Sequence, residues 1–286
     1  MRLGRDQRSR TGKCGLCGRV KQLSNTHVPP QCAGNTGNVQ RFVVMADTTG
    51  RAASGSKKVG GIHFYGLCIR CNTLVQGRWD SAYCELARQL WRFAVGSSLI
   101  LPRVIEMPSN WISPGKVARF VLSSAFALDP GLRTLYEDVA DELISDAESI
   151  SLPSTVRLRM AVTPGPMARV TGAMTGFFLF GARVNDQPIG ISAFAQIYFP
   201  PLAWQVQSGP SALLDIQGWA DVSDWLQIAP SERLPLRDLC PTLPQVLHPH
   251  QNPNETDRWS EMFADEICFI VESENALPTN WIKMPE

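Results

Sequence analysis

The sequence predicts an α+β protein of two domains, and three features of the chain lead to this fold class. Two C-x2-C pairs in the first hundred residues can close a metal site that joins distant segments. Apolar residues recur at helical spacing in residues 79–94 and again in residues 132–143. After residue 152 apolar and polar residues alternate, as in a strand of an antiparallel sheet. We therefore predict a zinc-binding domain over residues 1–98 and an α+β domain over residues 99–286.

The cysteine pairs are Cys14 with Cys17 and Cys68 with Cys71. Four thiolates form a closed structural zinc site with no open coordination position. In a reducing cytoplasm this spacing favours a metal site over disulfides, and four buried thiols without a metal are the alternative. Such a zinc ion contributes roughly 10–16 kcal/mol of apparent binding energy, coupled to folding. We therefore expect chelators to unfold the first hundred residues.

The first domain begins with a zinc knuckle and a short hairpin, expected at residues 14–24. The segment that carries His27 is expected to be extended, because Pro29 and Pro30 exclude helix there. Residues 41–45 have the composition of a strand.

Residues 48–61 are rich in Gly, Ser and Lys, which predicts a mobile loop. A helix is expected to follow the second cysteine pair and to run to about residue 95. Its apolar residues at helical spacing predict a buried stripe, made of Trp79, Tyr83, Leu86, Leu90 and Ala94. Cys32 and Cys84 fall outside the C-x2-C pairs, and we interpret them as core or loop thiols.

The second domain follows a connection at residues 96–114. Helices are expected to open at Ser113-Pro114 and at Asp129-Pro130, because each pair combines a capping residue with a proline for the first turn. Strands are expected near residues 156–162, 168–182, 188–199, 213–219 and 267–271, with a short helix at 258–264. We find no catalytic constellation in this domain, and His248 and His250 are interpreted as loop residues.

Charge is divided unevenly along the chain, although the total formal charge is only +1. Residues 1–100 hold 15 Lys and Arg against 4 Asp and Glu, a balance of +11, whereas residues 101–286 hold 12 against 22, a balance of −10. A basic first domain fits a polyanionic partner, although a solvated basic face is the alternative. The candidate phosphate contacts are Arg5, Arg8, Arg10, Lys13, Lys57 and Lys58. The sequence contains neither a secretory signal nor an apolar run long enough for a membrane span, so we expect a cytoplasmic protein.

Residues 14–80 resemble the HNH (His-Me finger) endonucleases, in their zinc-stapled treble-clef branch. The resemblance rests on the two cysteine pairs, the segment Thr26-His27-Val28-Pro29-Pro30 and Asn72 directly after Cys71. It covers about a quarter of the chain. It implies a ββα-metal fold for the first domain and hydrolysis of DNA phosphodiester bonds, with RNA not excluded as a substrate.

The resemblance also implies roles for individual residues. His27 would be the general base that takes a proton from the attacking water, a role that suits an imidazole at neutral pH. Asn72 would help to hold one divalent ion, Mg²⁺ or Mn²⁺, which stabilises the charge of the leaving oxygen. The product would carry a 5′ phosphate. Relatives of this kind act in phage defence, recombination and mobile elements, so we expect a role in defence or mobile-element biology.

One residue departs from the family pattern, which usually has Asp, Glu or His directly before the histidine as a metal ligand. Here that residue is Thr26, whose hydroxyl is a poor ligand for a hard cation. Asn72, water and substrate phosphate would then hold the ion, with help from Asn25, Gln76 or Asp80. His63 is a further candidate ligand, or else an ordinary strand histidine.

Three functions follow for the whole chain. The first is a metal-dependent endonuclease whose second domain selects the target, binds a protein partner or responds to a signal. The second is a nucleic-acid-binding module in which Thr26 marks a lost metal site. The third is a zinc-stabilised platform for protein docking.

Overall fold

The computed structural model describes residues 10–44, 52–95, 104–164, 167–173, 183–184, 187–188, 194–208, 218–246 and 266–272. The strands of the first part of the chain are β1 Thr11–Lys13, β2 Val20–His27, β3 Asn38–Val44, β4 Ala52–Lys58 and β5 His63–Cys68. Its helices are α1 Ile69–Val75, α2 Ser81–Leu90 and α3 Arg92–Val95. A 3-10 turn at Gln31–Ala33 and a π-helical turn at Gln76–Asp80 complete this part.

The rest of the chain combines helices with many short strands. Its helices are α4 Pro114–Leu128, α5 Leu132–Leu135, α6 Glu137–Ser145 and α7 Leu236–Leu239, with a 3-10 turn at Ser223–Gln227. Its longer strands are β8 Val156–Val162, β9 Met167–Ala173, β12 Phe194–Phe199, β13 Leu202–Ser208 and β17 Glu266–Glu272. The short strands are β6 Val104–Glu106, β7 Trp111–Ile112, β10 Arg183–Val184, β11 Gln187–Pro188, β14 Ala220–Asp221, β15 Leu234–Pro235 and β16 Thr242–Pro244.

The main sheet is antiparallel and has eight strands in the order β14-β8-β13-β12-β9-β17-β3-β4. A second sheet of three strands has the order β1-β2-β5 and carries the candidate site. Three two-stranded ribbons join β10 with β11, β15 with β7, and β16 with β6. The α+β class and the antiparallel sheet predicted from the alternation after residue 152 are confirmed.

The main sheet joins both parts of the sequence, because β17 pairs with β3 on one side and with β9 on the other. The hydrophobic core is also continuous: one cluster of buried side chains includes Leu67 and Tyr83 from the first part and Val121 and Trp204 from the second. The domain boundary near residue 98 stays a prediction, and the sheet and the core both extend across it.

The expectation of a mobile loop at residues 48–61 is wrong for residues 52–58, which form β4. This strand pairs antiparallel with β3, from Val39 opposite Lys58 to Val44 opposite Ala52. Its Gly, Ser and Lys content misled the prediction because ladder hydrogen bonds use the backbone, which every residue supplies. β4 is the edge of the sheet, a position where lysines are common because they discourage pairing with other chains.

The helical segment after the second cysteine pair forms as predicted, although the π-helical turn interrupts it. The described members of its apolar stripe, Trp79, Tyr83, Leu86 and Leu90, are at most 1% exposed. The helix expected after Pro130 forms in two pieces instead, because the chain leaves helical geometry at Tyr136 (φ −134°, ψ 56°) between α5 and α6.

The alternation of apolar and polar residues in β8 correctly predicts a strand. It does not predict that both faces of this strand are buried. Leu158 and Met160 are fully buried as expected, and Arg159 and Ala161 are at most 5% exposed. Residues 1–9, 174–182, 209–217 and 247–265, which include Arg5, Arg8 and the two C-terminal histidines, lie outside the described residues. Within the described ranges, none of the helices has the length and apolar character needed to span a membrane.

Candidate metal centre and histidine site

Four cysteines converge from two places in the chain to form the candidate metal centre. Cys14 and Cys17 lie in the turn between β1 and β2, while Cys68 ends β5 and Cys71 lies in the first turn of α1. The turn closes through a hydrogen bond from the Gly18 amide to the Cys14 carbonyl (2.9 Å), and Gly18 has the positive φ of 68° that glycine adopts without strain.

The four sulfur atoms fit a tetrahedral ion. All lie within 4.8 Å of one another, and Cys17 Sγ is 3.9 Å from Cys68 Sγ. Zn–S bonds of about 2.3 Å in a tetrahedron place sulfur atoms about 3.8 Å apart. Cys14, Cys68 and Cys71 are buried, and Cys17 is half-buried. The predicted convergence of the two pairs is therefore present, and the chain positions four ligands for a metal ion.

The electrostatics of the cluster favour a cation. A hydrogen bond with the Cys71 side chain lowers the pKa of Cys14 to about 4, and the same interaction raises the pKa of Cys71. Burial and the neighbouring sulfur atoms raise the pKa of Cys17. Four thiols this close cannot all ionise beside one another, whereas a bound divalent cation offsets the charge of the thiolates and displaces their protons.

The metal centre is also fixed to the second part of the chain. Gly15 and Gly66 face each other through a 2.8 Å hydrogen bond from the Gly15 amide to the Gly66 carbonyl. A Cβ atom at Gly15 would overlap the Phe126 carbonyl, and one at Gly66 would overlap the Ala127 carbonyl. The C-terminal turn of α4 therefore approaches so closely that only glycine fits at both positions.

His27 ends β2, opposite His63 at the start of β5. Its Nε2 lies 3.1 Å from the carbonyl oxygen of Gly60. A carbonyl only accepts hydrogen bonds, so Nε2 carries the proton and Nδ1 keeps the basic lone pair in the neutral ring. Burial lowers the pKa of His27 below its ordinary value of 6.5, which keeps the ring neutral at pH 7.

His63 is part of the same group, because its ring centroid lies 5.5 Å from that of His27. It is a strand residue at the first position of β5, and its Nδ1 lies 3.2 Å from the carbonyl oxygen of Gly61. His63 therefore lies in a strand, while a role as a ligand stays a prediction, and the two histidines form a pair where β2 ends and β5 begins.

Asn35 is the residue of this site that the sequence analysis missed. It is 1% exposed, and its Nδ2 donates to the carbonyls of Pro29 (2.6 Å) and Ile62 (2.8 Å). Its Oδ1 accepts from the Ile62 amide at 2.6 Å. One side chain thereby ties the segment after His27 to the turn whose Gly60 carbonyl orients the imidazole. The flanking Gly34, Gly60 and Gly61 were the available signal, because glycines permit such close approach.

Thr26 directly precedes His27 in β2, and Asn72 lies in α1; they are 4% and 7% exposed. Asn72 Nδ2 donates to the carbonyl of Asn25 at 2.9 Å. The other amide atom, Oδ1, therefore points away from that carbonyl. Thr26 Oγ1 and Asn72 Oδ1 are buried oxygens without a hydrogen-bond partner. Buried polar atoms are normally partnered, so each of these oxygens is a candidate to bind a ligand. Because side chains alternate along a strand, Thr26 and His27 project from opposite faces of β2.

The histidine site does not belong to a cluster of three or more His, Cys, Asp and Glu side chains within the part of the chain that the structure describes. The four cysteines are the group of His, Cys, Asp and Glu side chains there that could hold a metal ion. Asp80 belongs to the π-helical turn, eight residues and roughly 12 Å of helix beyond Asn72. Burial raises the pKa of Asp80 to about 6.

The residues predicted to contact phosphate lie in different parts of the fold. Lys13 Nζ lies 3.4 Å from Thr134 Oγ1, and the Arg10 guanidinium stacks 4.5 Å from the centroid of the Tyr65 ring. Lys57 and Lys58 belong to β4, the edge strand of the main sheet.

The interpretation of Cys32 and Cys84 as separate thiols is wrong, because a disulfide joins them. Their Cα atoms lie 5.6 Å apart, although 52 residues separate them in sequence. The bond connects the 3-10 turn after Pro30 to α2. Sequence spacing alone cannot reveal such a pair, since its proximity depends on how α2 packs against that turn.

Comparison of this chain with protein-family models, curated proteins and solved structures finds no significant match.

Proposed function

We propose that this chain is a metal-dependent endonuclease of the HNH type, whose first domain is a zinc-stapled treble clef that cleaves DNA. The observation that carries the proposal is the hydrogen bond between His27 Nε2 and the Gly60 carbonyl, which leaves Nδ1 as the base. Two buried oxygens without a partner, Thr26 Oγ1 and Asn72 Oδ1, belong to the preceding residue of β2 and to α1. A base on the strand β2 and a ligand oxygen on the helix α1 are the kinds of groups that hydrolysis of a phosphodiester requires.

In the proposed reaction, water attacks the phosphorus atom and His27 Nδ1 accepts its proton. The bond from phosphorus to the 3′ oxygen breaks, and that oxygen leaves and takes a proton from solvent, so the new end carries a 5′ phosphate. The lowered pKa of His27 supports this role because the ring is neutral, and therefore basic, before the attack. A positioned base of this kind is typically worth about 10²–10⁴-fold in rate.

A divalent ion, Mg²⁺ or Mn²⁺, would stabilise negative charge on the scissile phosphate and the leaving oxygen. Asn72 Oδ1 would hold it, with Thr26 Oγ1 as a weaker neighbour. Both donors are neutral, so affinity would depend on water and on the oxygens of the substrate phosphate, which hard cations prefer.

The four cysteines would hold zinc in a structural role, since all four positions of a tetrahedron are filled by protein. In the proposed enzyme this ion fixes β5 and α1 beside β2, and thereby Asn72 beside Thr26 and His27. A role in phage defence or mobile elements, and a protein partner for the second domain, stay predictions.

The test is cleavage of supercoiled plasmid by the full chain with Mg²⁺, with Mn²⁺ and with EDTA. We expect nicking with an added ion, no nicking in EDTA, and loss of nicking in His27→Ala. Gln22→Ala, which removes an exposed side chain of β2 outside the site, is the matched control and keeps activity. An intact plasmid under every condition contradicts the proposal.

A second function is favoured by a specific observation, namely that, among the described residues, His27 belongs to no group of three or more His, Cys, Asp and Glu side chains that could hold a metal ion. In that case the first domain binds nucleic acid without cleaving it. Salt-dependent binding of DNA by the wild-type chain, together with an intact plasmid in Mg²⁺ and Mn²⁺, identifies this function.

A further inference from the structure

A cavity of about 280 Å³ adjoins the four-cysteine cluster, and Cys17, Cys68 and Cys71 form part of its wall. It has room for roughly nine water molecules at the volume that each occupies in the liquid. Its wall is shared by the metal knuckle, the start of β2, α1 and the α5–α6 segment. The polar and charged side chains in this wall are Arg19, Lys21, Arg70, Arg133 and Asp141.

Two of these charges neutralise each other. The Arg133 guanidinium lies 2.8 Å from Asp141 Oδ1 and 3.2 Å from Glu137 Oε1. It also donates to the Leu16 carbonyl at 2.6 Å, and its side chain is 9% exposed. Arg133 is therefore a fixed structural group, and Asp141 has its counter-ion within the protein.

Three cations in the wall are left over. Arg19, Lys21 and Arg70 are exposed, and none of them forms an ion pair or side-chain hydrogen bond with another described residue. Like charges brought together raise the electrostatic energy unless an anion lies between them. With zinc bound, the four thiolates and the ion carry about −2, and Arg133 with its two carboxylates carries −1, so these groups offset the three cations in total. The three cations nevertheless stay exposed in the wall, where an anion can reach them.

We propose that this cavity binds a backbone phosphate of a polynucleotide, as a second contact point distant from the cleavage site. The identity of the ligand rests on the proposed function. Two observations favour a nucleic acid over a small anion. Residues 1–100 carry a charge balance of +11. Lys13, a further cation, pairs with Val20, the residue before Lys21 in β2.

The geometry of β2 relates the cavity to His27. Lys21 and His27 are six residues apart, and the register shift of the β2–β5 ladder places its extra residue in β5, so β2 itself is regular. Side chains alternate along a strand, so both residues project from the same face. The separation is roughly 20 Å, which corresponds to about six base pairs of duplex at 3.4 Å each.

The first experiment measures binding of a 30-base-pair duplex and of the matching RNA by the full chain with His27→Ala, so that no cleavage occurs. Arg19→Gln, Lys21→Gln and Arg70→Gln are combined in one variant. The control variant combines Arg88→Gln, Arg92→Gln and Lys116→Gln, which removes the same charge outside the cavity. Affinity is measured from 50 to 200 mM salt, and zinc content is measured for every variant.

The cavity variant is expected to bind roughly 10- to 100-fold more weakly, because hydrogen bonds to charged groups are lost. The slope of the logarithm of the binding constant against the logarithm of the salt concentration should become shallower by about 0.9, the value for one phosphate contact on duplex DNA. The control variant should stay within about twofold of its parent. Equal affinities of the two variants overturn the proposal.

If the cavity variant loses zinc, the three cations act chiefly on the metal centre. The DNA affinities of single variants are then compared instead. Lys21→Gln, four residues from the nearest cysteine, must then bind at least threefold more weakly than Lys116→Gln, and equal affinity overturns the proposal. If neither polynucleotide binds the parent but inorganic phosphate raises its melting temperature only with the three cations in place, the ligand is free phosphate and the backbone assignment is wrong.

Cleavage of DNA is measured separately, in chains that keep His27. A chain that binds DNA through the cavity but leaves it uncut supports this inference and contradicts the proposed nuclease. A chain that cuts DNA equally well with and without the three cations supports the nuclease and overturns the inference.

Discussion

His27 Nε2 donates to the Gly60 carbonyl across 3.1 Å, and this contact decides which nitrogen of the ring is basic. The carbonyl is in turn held by its neighbours, because the Asn35 side chain bonds both the amide and the carbonyl of Ile62. The orientation of the proposed general base therefore depends on a residue that never touches it.

Asn35→Ala tests this dependence. The change leaves the Ile62 amide and the Pro29 carbonyl buried without their partner, and each unsatisfied buried group costs about 1–3 kcal/mol. We expect the free energy of unfolding, measured by urea titration, to fall by about 2–4 kcal/mol. Asn25→Ala, on an exposed position, should change it by less than about 0.5 kcal/mol. Equal stabilities of the two variants would show that Asn35 does not hold the turn.

Asp80 gives a prediction for pH dependence. Burial raises its pKa from 3.8 to about 6, so the folded state holds this proton more tightly than the unfolded state. Its contribution to stability is present below pH 3.8 and is lost as the pH rises towards 6. Asp80→Asn removes this loss and should be more stable than wild type by about 1–2 kcal/mol at pH 7.5, after allowance for partial exposure of the carboxyl.

The measurement is urea unfolding of wild type and variant at pH 4.5 and at pH 7.5, with Asp224→Asn as a surface control. The advantage of Asp80→Asn should grow between the two pH values, while that of the control should not. A constant difference would contradict a raised pKa for Asp80.

Removal of the metal should unfold the first part of the chain. The purified protein should contain one zinc ion per chain, and Cys68→Ser should lower both the zinc content and the ellipticity. Because structural zinc contributes roughly 10–16 kcal/mol, little native structure should survive around it. Cys240→Ser, which changes a buried thiol outside the cluster, should keep zinc and fold. Native circular dichroism after complete loss of zinc would refute this prediction.

The disulfide between Cys32 and Cys84 should also contribute to stability. Closing a loop of 52 residues restricts the unfolded chain, for which the expected contribution is about 2–4 kcal/mol. We expect Cys32→Ser with Cys84→Ser to lower the free energy of unfolding by this amount without loss of zinc. Alkylation of the protein unfolded in urea without a reductant, followed by mass spectrometry, should leave both cysteines unmodified. Labelling of both would mean that the bond does not form.

The sequence predicted those parts of the site that depend on local spacing. Two C-x2-C pairs fix the four sulfur atoms once β5 and the metal knuckle lie side by side, and Asn72 follows the last ligand directly. His27 was predicted from its place between the cysteine pairs. Its tautomer could not be predicted, because it depends on Gly60, 33 residues away along the chain.

The parts that failed depend on long-range packing. Composition made residues 52–58 look like a loop, but pairing with β3 stabilises a strand of almost any composition at a sheet edge. Cys32 and Cys84 meet only when α2 packs against the turn after Pro30. The pairing of β17 with β3 joins residues more than 200 positions apart, a relationship that local patterns do not encode.

The most direct test of the central claim is the rate of Mg²⁺-dependent cleavage of an end-labelled duplex, compared between wild type and His27→Gln at equal zinc content. The proposed mechanism predicts 5′-phosphate ends for wild type and a rate at least 10²-fold lower for the variant. Equal rates would contradict His27 as the base that activates water, and ends that carry a 3′ phosphate would contradict the proposed cleavage of the bond to the 3′ oxygen.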